Sequence, residues 1–263
     1  NVEINFIARS RSPNTVWTAS AFVPTVFRAQ RLGMDILFTD TLLIAHDGAE
    51  TGHVTGILED AVGRLWVMTE RKLFVSKPDG HPLAAVTNLP GNVSALCEDK
   101  QGRIWVSDAT GRLSCMRTSP TGIRPTTRYK LPLSPHDRIR HLCCDSTGHF
   151  WMATELGCLY SFYPKASKWS DHTMSGLPDM SPVLHLEAIG KDLWLVTPST
   201  VIRYNPERRT RHTYSTQDKH VPVYAFRNNA SCTGHKKLLY AGGHGGFIAI
   251  RTDKPQPEIK PDL

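Results

Sequence analysis

The sequence predicts an all-β fold, a β-propeller of six four-stranded blades. Three observations carry this. A motif recurs at a fixed spacing, its period is near 45 residues, and its segments alternate as strands do. The ungapped copies are VTGILEDAVGRLWVMT (Val54–Thr69), VSALCEDKQGRIWVSD (Val93–Asp108) and IRHLCCDSTGHFWMAT (Ile139–Thr154). Each reads apolar-x-x-apolar-x-x-Asp-x-x-Gly-x-apolar-Trp-apolar-x-Thr/Asp. So many agreements at fixed offsets, three times over, identify a structural unit rather than a coincidence.

Weaker copies extend the pattern both ways. Val183–Thr197 keeps the apolar positions and Trp194 but shortens the turn by one residue. Val223–Gly243 lengthens the turn and places Tyr240 where Trp stood, and Ile4–Ser20 supplies Trp17. The repeat anchors are therefore Trp17, Trp66, Trp105, Trp151, Trp194 and Tyr240, at intervals of 39 to 49 residues. The segments are rich in Val, Ile, Thr, Trp and Phe and are punctuated by Gly, Asp, Asn and Pro. No window shows the i, i+3, i+4, i+7 stripe of a helical solenoid. The predicted blades are roughly 1–45, 46–90, 91–135, 136–180, 181–218 and 219–250, with 251–263 as an extended exit linker or outer strand.

Within the third blade the expected strands are 93–98 (innermost), 103–107, 113–116 and 127–131 (outermost). The turn between the first two has chemical reasons for its residues. Asp99 can accept hydrogen bonds from amides two residues on, and Gly102 can take a positive φ at low steric cost. Each Trp offers a large apolar body to pack one blade against the next, so these anchors are read as structural rather than as a ligand cage.

Composition narrows the function classes. The chain has 263 residues, 40% hydrophobic and 21% charged, with net charge +7. That is a globular composition, and its positive balance favours anionic partners. No apolar run is long enough to span a membrane, and targeting or membrane segments are expected only outside this chain. Six cysteines (Cys97, Cys115, Cys143, Cys144, Cys158, Cys232) include no C-x-x-C pair, and no H-x-H or H-E-x-x-H occurs. Neither metal nor cofactor is implied. Asp60, Asp99 and Asp145, with Glu59 and Glu98, recur as turn residues, so they do not form the spaced carboxylate pair of a hydrolase. Nucleic-acid binding would interleave basic residues with exposed aromatics, whereas the aromatics here fall at repeat anchors.

The pattern, with LCEDKQGRIWVSDATGRLSCM and LCCDSTGHFWMATELGCLYSF as its fullest copies, resembles the two-component regulator propeller repeat. The last repeat, with Tyr240, Gly242, Gly243, Gly246 and Phe247 before Pro255, Pro257 and Pro261, is similar to the final blade of such propellers. The resemblance implies the periplasmic sensor region of a hybrid histidine kinase that detects an oligosaccharide. It also implies an exit into an immunoglobulin-like domain and a capacity to dimerise. Blades in that family usually come in sevens, so six repeats leave open a six-bladed ring or part of a seven-bladed one.

A propeller binds ligands where the loops between second and third strands meet the segments leading into each blade. This places Glu70, Arg71 and Lys72, then Asp108, Thr110 and Arg112, then Glu155, Thr197–Thr200 and His244 on one rim. The lead-in positions His53, Asn92, Asp137, Arg138 and His220 join them. The expected ligand-binding set is Arg71, Lys72, Arg112, Arg138, Glu155, His220 and His244, a ring able to fork onto a carboxylate or sulfate of an anionic sugar. No catalytic residue is expected. The alternatives are a propeller lyase resembling streptogramin lyase, using Glu155, His220 and His244, or a scaffold for protein partners.

Overall fold

The computed structural model describes residues 4–20, 23–33, 35–44, 51–78, 82–87, 89, 92–119, 122–177, 181–218, 221–234 and 237–254. These form six antiparallel sheets, each made of strands consecutive in sequence. The first comprises β1 (Ile4–Arg9), β2 (Thr15–Ser20), β3 (Thr25–Leu32) and β4 (Asp35–Leu43). The second comprises β5 (Val54–Glu59), β6 (Leu65–Thr69), β7 (Leu73–Val75) and the two-residue β8 (Ala84–Ala85). The third comprises β9 (Val93–Glu98), β10 (Ile104–Asp108), β11 (Arg112–Ser119) and β12 (Gly122–Lys130). The fourth comprises β13 (Ile139–Cys144), β14 (Phe150–Thr154), β15 (Leu159–Tyr163) and β16 (Lys168–Asp171). The fifth comprises β17 (His185–Ile189), β18 (Asp192–Val196), β19 (Thr200–Asn205) and β20 (Thr210–Ser215). The sixth comprises β21 (Ala225–Thr233), β22 (Leu238–His244) and β23 (Gly246–Arg251), three strands among the described residues.

The first strand of every sheet touches the first strand of the next, and β21 returns to β1, so six blades close a ring around an axis. Helical elements among the described residues include a 3-10 turn at Pro164–Ala166 and one turn at Thr173–Gly176. The hairpin of β11 and β12 is longer than the sequence predicts. Its pairing continues past a bulge at Met116, out to Ser119 opposite Gly122.

Five apolar clusters hold the ring, and each straddles two successive blades. Trp17 meets Ile57 and Leu65, and Trp66 meets Ile104 and Val106. Trp105 meets Phe150 and Met152, and Trp151 meets Leu186 and Leu193. Trp194 meets Phe226 and Leu239. All five anchor indoles are buried, while Tyr240 is half-buried. Burying an aromatic side chain at each of these five junctions is the main favourable term in their packing.

Each recurring aspartate does more than make a turn. Asp99 accepts from the Gln101 and Arg103 amides at 3.0 and 2.9 Å, from Arg103 Nε at 2.7 Å, and from the Trp105 indole Nε1 at 2.8 Å. Asp60 repeats this with Val62, Arg64 and Trp66. Asp145 does so with Thr147, His149 and Trp151. One carboxylate thus closes the turn and fixes the indole six residues away. Gly63, Gly102 and Gly148 have φ of 82°, 71° and 90°, the left-handed region that the tight turn requires. In the fifth blade the shortened turn pairs Ile189 with Asp192, and the buried Trp194 Nε1 has no partner among the described residues.

Candidate functional site

Strand direction sends the first-to-second strand turns to one end of the ring and the second-to-third loops to the other. The rim at that second end is tied together by the backbone. Glu70 N donates to His53 O, Ala109 N to Asn92 O, and Glu155 N to Arg138 O. Each bond joins a loop residue to the lead-in segment of its own blade. The closing Thr or Asp of the sequence motif shapes these loops. Thr69 Oγ1 accepts from Lys72 N at 3.0 Å, Asp108 Oδ1 from Thr110 N at 2.8 Å, and Thr154 Oγ1 from Cys158 N at 3.0 Å. Such side-chain-to-backbone turns are local chemistry that the motif already spelled out.

The predicted binding residues fall into three groups. Arg71 and Lys72 stand exposed on the loop of the second blade, and Arg112 stands exposed at the start of β11 in the third. Arg138 and Glu155 form a forked ion pair, with Nε at 2.5 Å and Nη2 at 3.1 Å, and Arg140 Nη1 lies 3.7 Å from the same carboxylate. The hydrogen bond from Arg138 holds the Glu155 carboxyl below the usual range. His244 bonds Arg227 across β21 and β22. His220 lies outside the described residues. Glu155 and His244 are therefore each engaged by a guanidinium, which suits them to frame a rim rather than to exchange protons.

Sequence reasoning missed the groups at the rim ends of the innermost strands: Arg140, His141, His185 and Arg227, with Glu187 beneath them. His141 Nε2 is buried with no partner among the described residues. Burial, then the nearby His185 charge, pushes its pKa down to about 3. His185 Nε2 lies 3.3 Å from Glu187 Oε2. Burial pushes Glu187 up, but hydrogen bonds from His185 and Thr233 prevail and keep it low. Only a blade-by-blade strand register could have placed these side chains by the axis. Among the described residues no group of three or more His, Cys, Asp or Glu is placed to hold a metal. The cysteines are free thiols, and burial pushes Cys143 and Cys144 up, the latter to about 11. That leaves both protonated and poorly reactive.

Residues 89–110, which include β9 and β10, match the family model described as "Two component regulator propeller". The solved structures similar to the chain include the extracellular domain of a hybrid two component system from B. thetaiotaomicron. It has 17% identity and TM-score 0.66, over 96% of this chain and 39% of that one. A second is the extracellular domain of a one component system from the same organism, at 16% identity and TM-score 0.68, over 96% and 35%. A third is YCF48 bound to D1 peptide, at 16% identity and TM-score 0.65, over 96% and 78%. The chain spans about two fifths or less of the two extracellular domains, and at these identities the likeness concerns the fold. No curated protein matches the chain in sequence. Among the described residues no helix is long and apolar enough to cross a membrane.

Proposed function

We propose that this chain, a six-bladed ring carrying the two component regulator propeller repeat, is a non-catalytic recognition domain of a two-component signalling protein. It works outside the cytoplasmic membrane and binds an anionic oligosaccharide at the rim. The signal leaves through the segment after β23 toward a downstream immunoglobulin-like domain. The observation that carries this reading is the family match over residues 89–110. The rim supports the ligand class. Arg71, Lys72, Arg112, Arg138, Arg140 and Arg227 give it a cationic character, and guanidinium groups fork onto carboxylate or sulfate. The ligand acts through its differential affinity for two states of the domain.

Calorimetry against matched sulfated, uronic and neutral oligosaccharides tests the proposal. Saturable binding of an anionic member, lost in Arg140→Glu, supports it. A silent panel at millimolar concentration, or binding indifferent to that substitution, overturns it. A second reading, peptide recognition on the same rim, is favoured by the similarity to YCF48, a propeller solved with a bound peptide.

A further inference from the structure

Four of the five anchor tryptophans carry a guanidinium over the ring. Arg28 lies over Trp17, Arg64 over Trp66, Arg103 over Trp105 and Arg203 over Trp194, at 5.8, 5.5, 5.6 and 5.7 Å. The arginine comes from one of two places. In the second and third blades it stands two residues before the Trp. In the first and fifth it is the Trp's cross-strand partner on the third strand. Three of these arginines also meet a carboxylate: Arg64 with Asp60 at 2.7 Å, Arg103 with Asp99 at 2.7 Å and Arg203 with Asp192 at 2.6 Å. In the second and third blades the cation is thus the third member of a carboxylate–indole unit, and in the fifth it meets a carboxylate while lying over the ring.

The fourth blade departs at both places. His149 stands two residues before Trp151, and the cross-strand partner is Ser161. Asp145 still accepts from Trp151 Nε1 at 2.8 Å, but its remaining bonds come from neutral donors, and His149 Nδ1 is 4.0 Å away. A cavity of about 390 Å³ lies here, lined by Asp145, His149, Trp151, Ser161 and His172, with Lys191 and Glu207 on its border. His172 meets the indole edge-on, at 4.8 Å between centroids, and spends both ring nitrogens on Ser161 and Tyr204. Burial, then the Arg209 charge, holds its pKa down, so it supplies no cation.

The short fifth-blade turn leaves this space open. A Cβ added at Gly148 or Gly190 would meet nothing within 4 Å, whereas one at Gly102 would touch Ala61 and Glu98 at 3.8 and 3.7 Å. Neighbouring turns touch in the second and third blades and stand apart in the fourth and fifth.

We propose that the cavity between the fourth and fifth blades binds a small organic cation bearing a guanidinium or ammonium group. That group takes the place over Trp151 and Asp145 that Arg64 and Arg103 hold over the matching Trp and Asp of the second and third blades. Cation–π attraction and a charge-assisted hydrogen bond act together there. The volume falls within the range of small-molecule sites. Lys191 and Glu207, neither partnered among the described residues, suit the carboxylate and ammonium of a basic amino acid. The site lies at the turn end of the ring, so it is independent of the rim and of the proposed oligosaccharide.

The test is calorimetry of the whole chain with L-arginine and with citrulline, its neutral isostere, repeated on His149→Arg. The expected result is saturable binding of arginine, with citrulline weaker by about tenfold or more, the effect of removing one charge-assisted hydrogen bond. His149→Arg installs the residue of the two preceding blades. It should unfold at the same or a higher temperature and lose arginine binding. Citrulline binding as tightly as arginine would overturn the proposal. So would arginine affinity unchanged in a folded His149→Arg protein, or no saturable heat from the unaltered chain at millimolar arginine.

Discussion

Replacing Asp99 by alanine removes one carboxylate from a turn and from the indole it fixes. Four bonds are lost, and they differ in weight. The Arg103 side chain is about half exposed, at 54%, so its ion pair contributes little to stability. The Gln101 and Arg103 amides lie at a surface turn where water can replace the carboxylate. The Trp105 Nε1 cannot find water, because the residue is 2% exposed in the cluster between the third and fourth blades. A stranded buried donor costs about 1–3 kcal/mol, and the turn amides add about 1 more, so Asp99→Ala should cost roughly 2–4 kcal/mol. For a chain of this size that lowers the melting temperature by about 4–16 °C. Urea unfolding followed by tryptophan fluorescence gives the free energy. Asp99→Asn, which keeps an acceptor oxygen, should lose about half as much. Burial pushes the Asp99 carboxyl up, but the bonds from Trp105 and Arg103 outweigh it and hold the pKa below normal. The contribution is therefore whole above the unfolded pKa of about 4 and fades as pH falls through the folded value. A cost under about 0.5 kcal/mol at pH 7 would refute the clamp.

Three further outcomes follow from the same geometry. Gly243→Ala would place a Cβ 2.0 Å from the Ala225 carbonyl oxygen and 2.8 Å from Phe226 Cα. Backbone cannot yield as a side chain can, so thermal melting should show a loss of about 3 kcal/mol or more. His141, with its pKa pushed down to about 3, stabilises the fold fully above the unfolded pKa of about 6.5 and progressively less as pH falls toward 3. His141→Gln should therefore remove about 1.4 kcal/mol per pH unit from the slope of stability between pH 6 and 4, read from urea midpoints. Glu155→Gln breaks an exposed fork with Arg138, so urea unfolding should register less than about 1 kcal/mol.

The repeat made the blades legible because it fixes two local needs, a positive-φ glycine and an acceptor in the turn, and one tertiary need, an apolar wedge. Asp99, Gly102 and Trp105 state all three within seven residues. The bond from Trp105 Nε1 to Asp99 stayed hidden, since it depends on the rotamer of a side chain across the hairpin. Trp17 was harder still, because its indole donates to Glu59 of the next blade at 2.6 Å. The rim loops could be located because strand order sets which end they occupy. Which side chains pair there could not: the Arg138–Glu155 fork joins residues 17 apart in two different loops. His141 and His185 look like ordinary strand residues until neighbouring innermost strands are laid side by side.

The seam between the sixth and first blades is where the ring could fail. Contacts of β21 with β1 close it, but among the described residues no buried apolar cluster spans it as the five others do. Spin labels on exposed turn residues of the same end, at Pro13, Val62, Ser146 and Lys237 in the first, second, fourth and sixth blades, would measure closure by pulsed electron resonance. A closed ring predicts that the Pro13–Lys237 distance resembles Pro13–Val62 and is much shorter than Pro13–Ser146. A Pro13–Lys237 distance longer than Pro13–Ser146 would show an open arc and contradict the account.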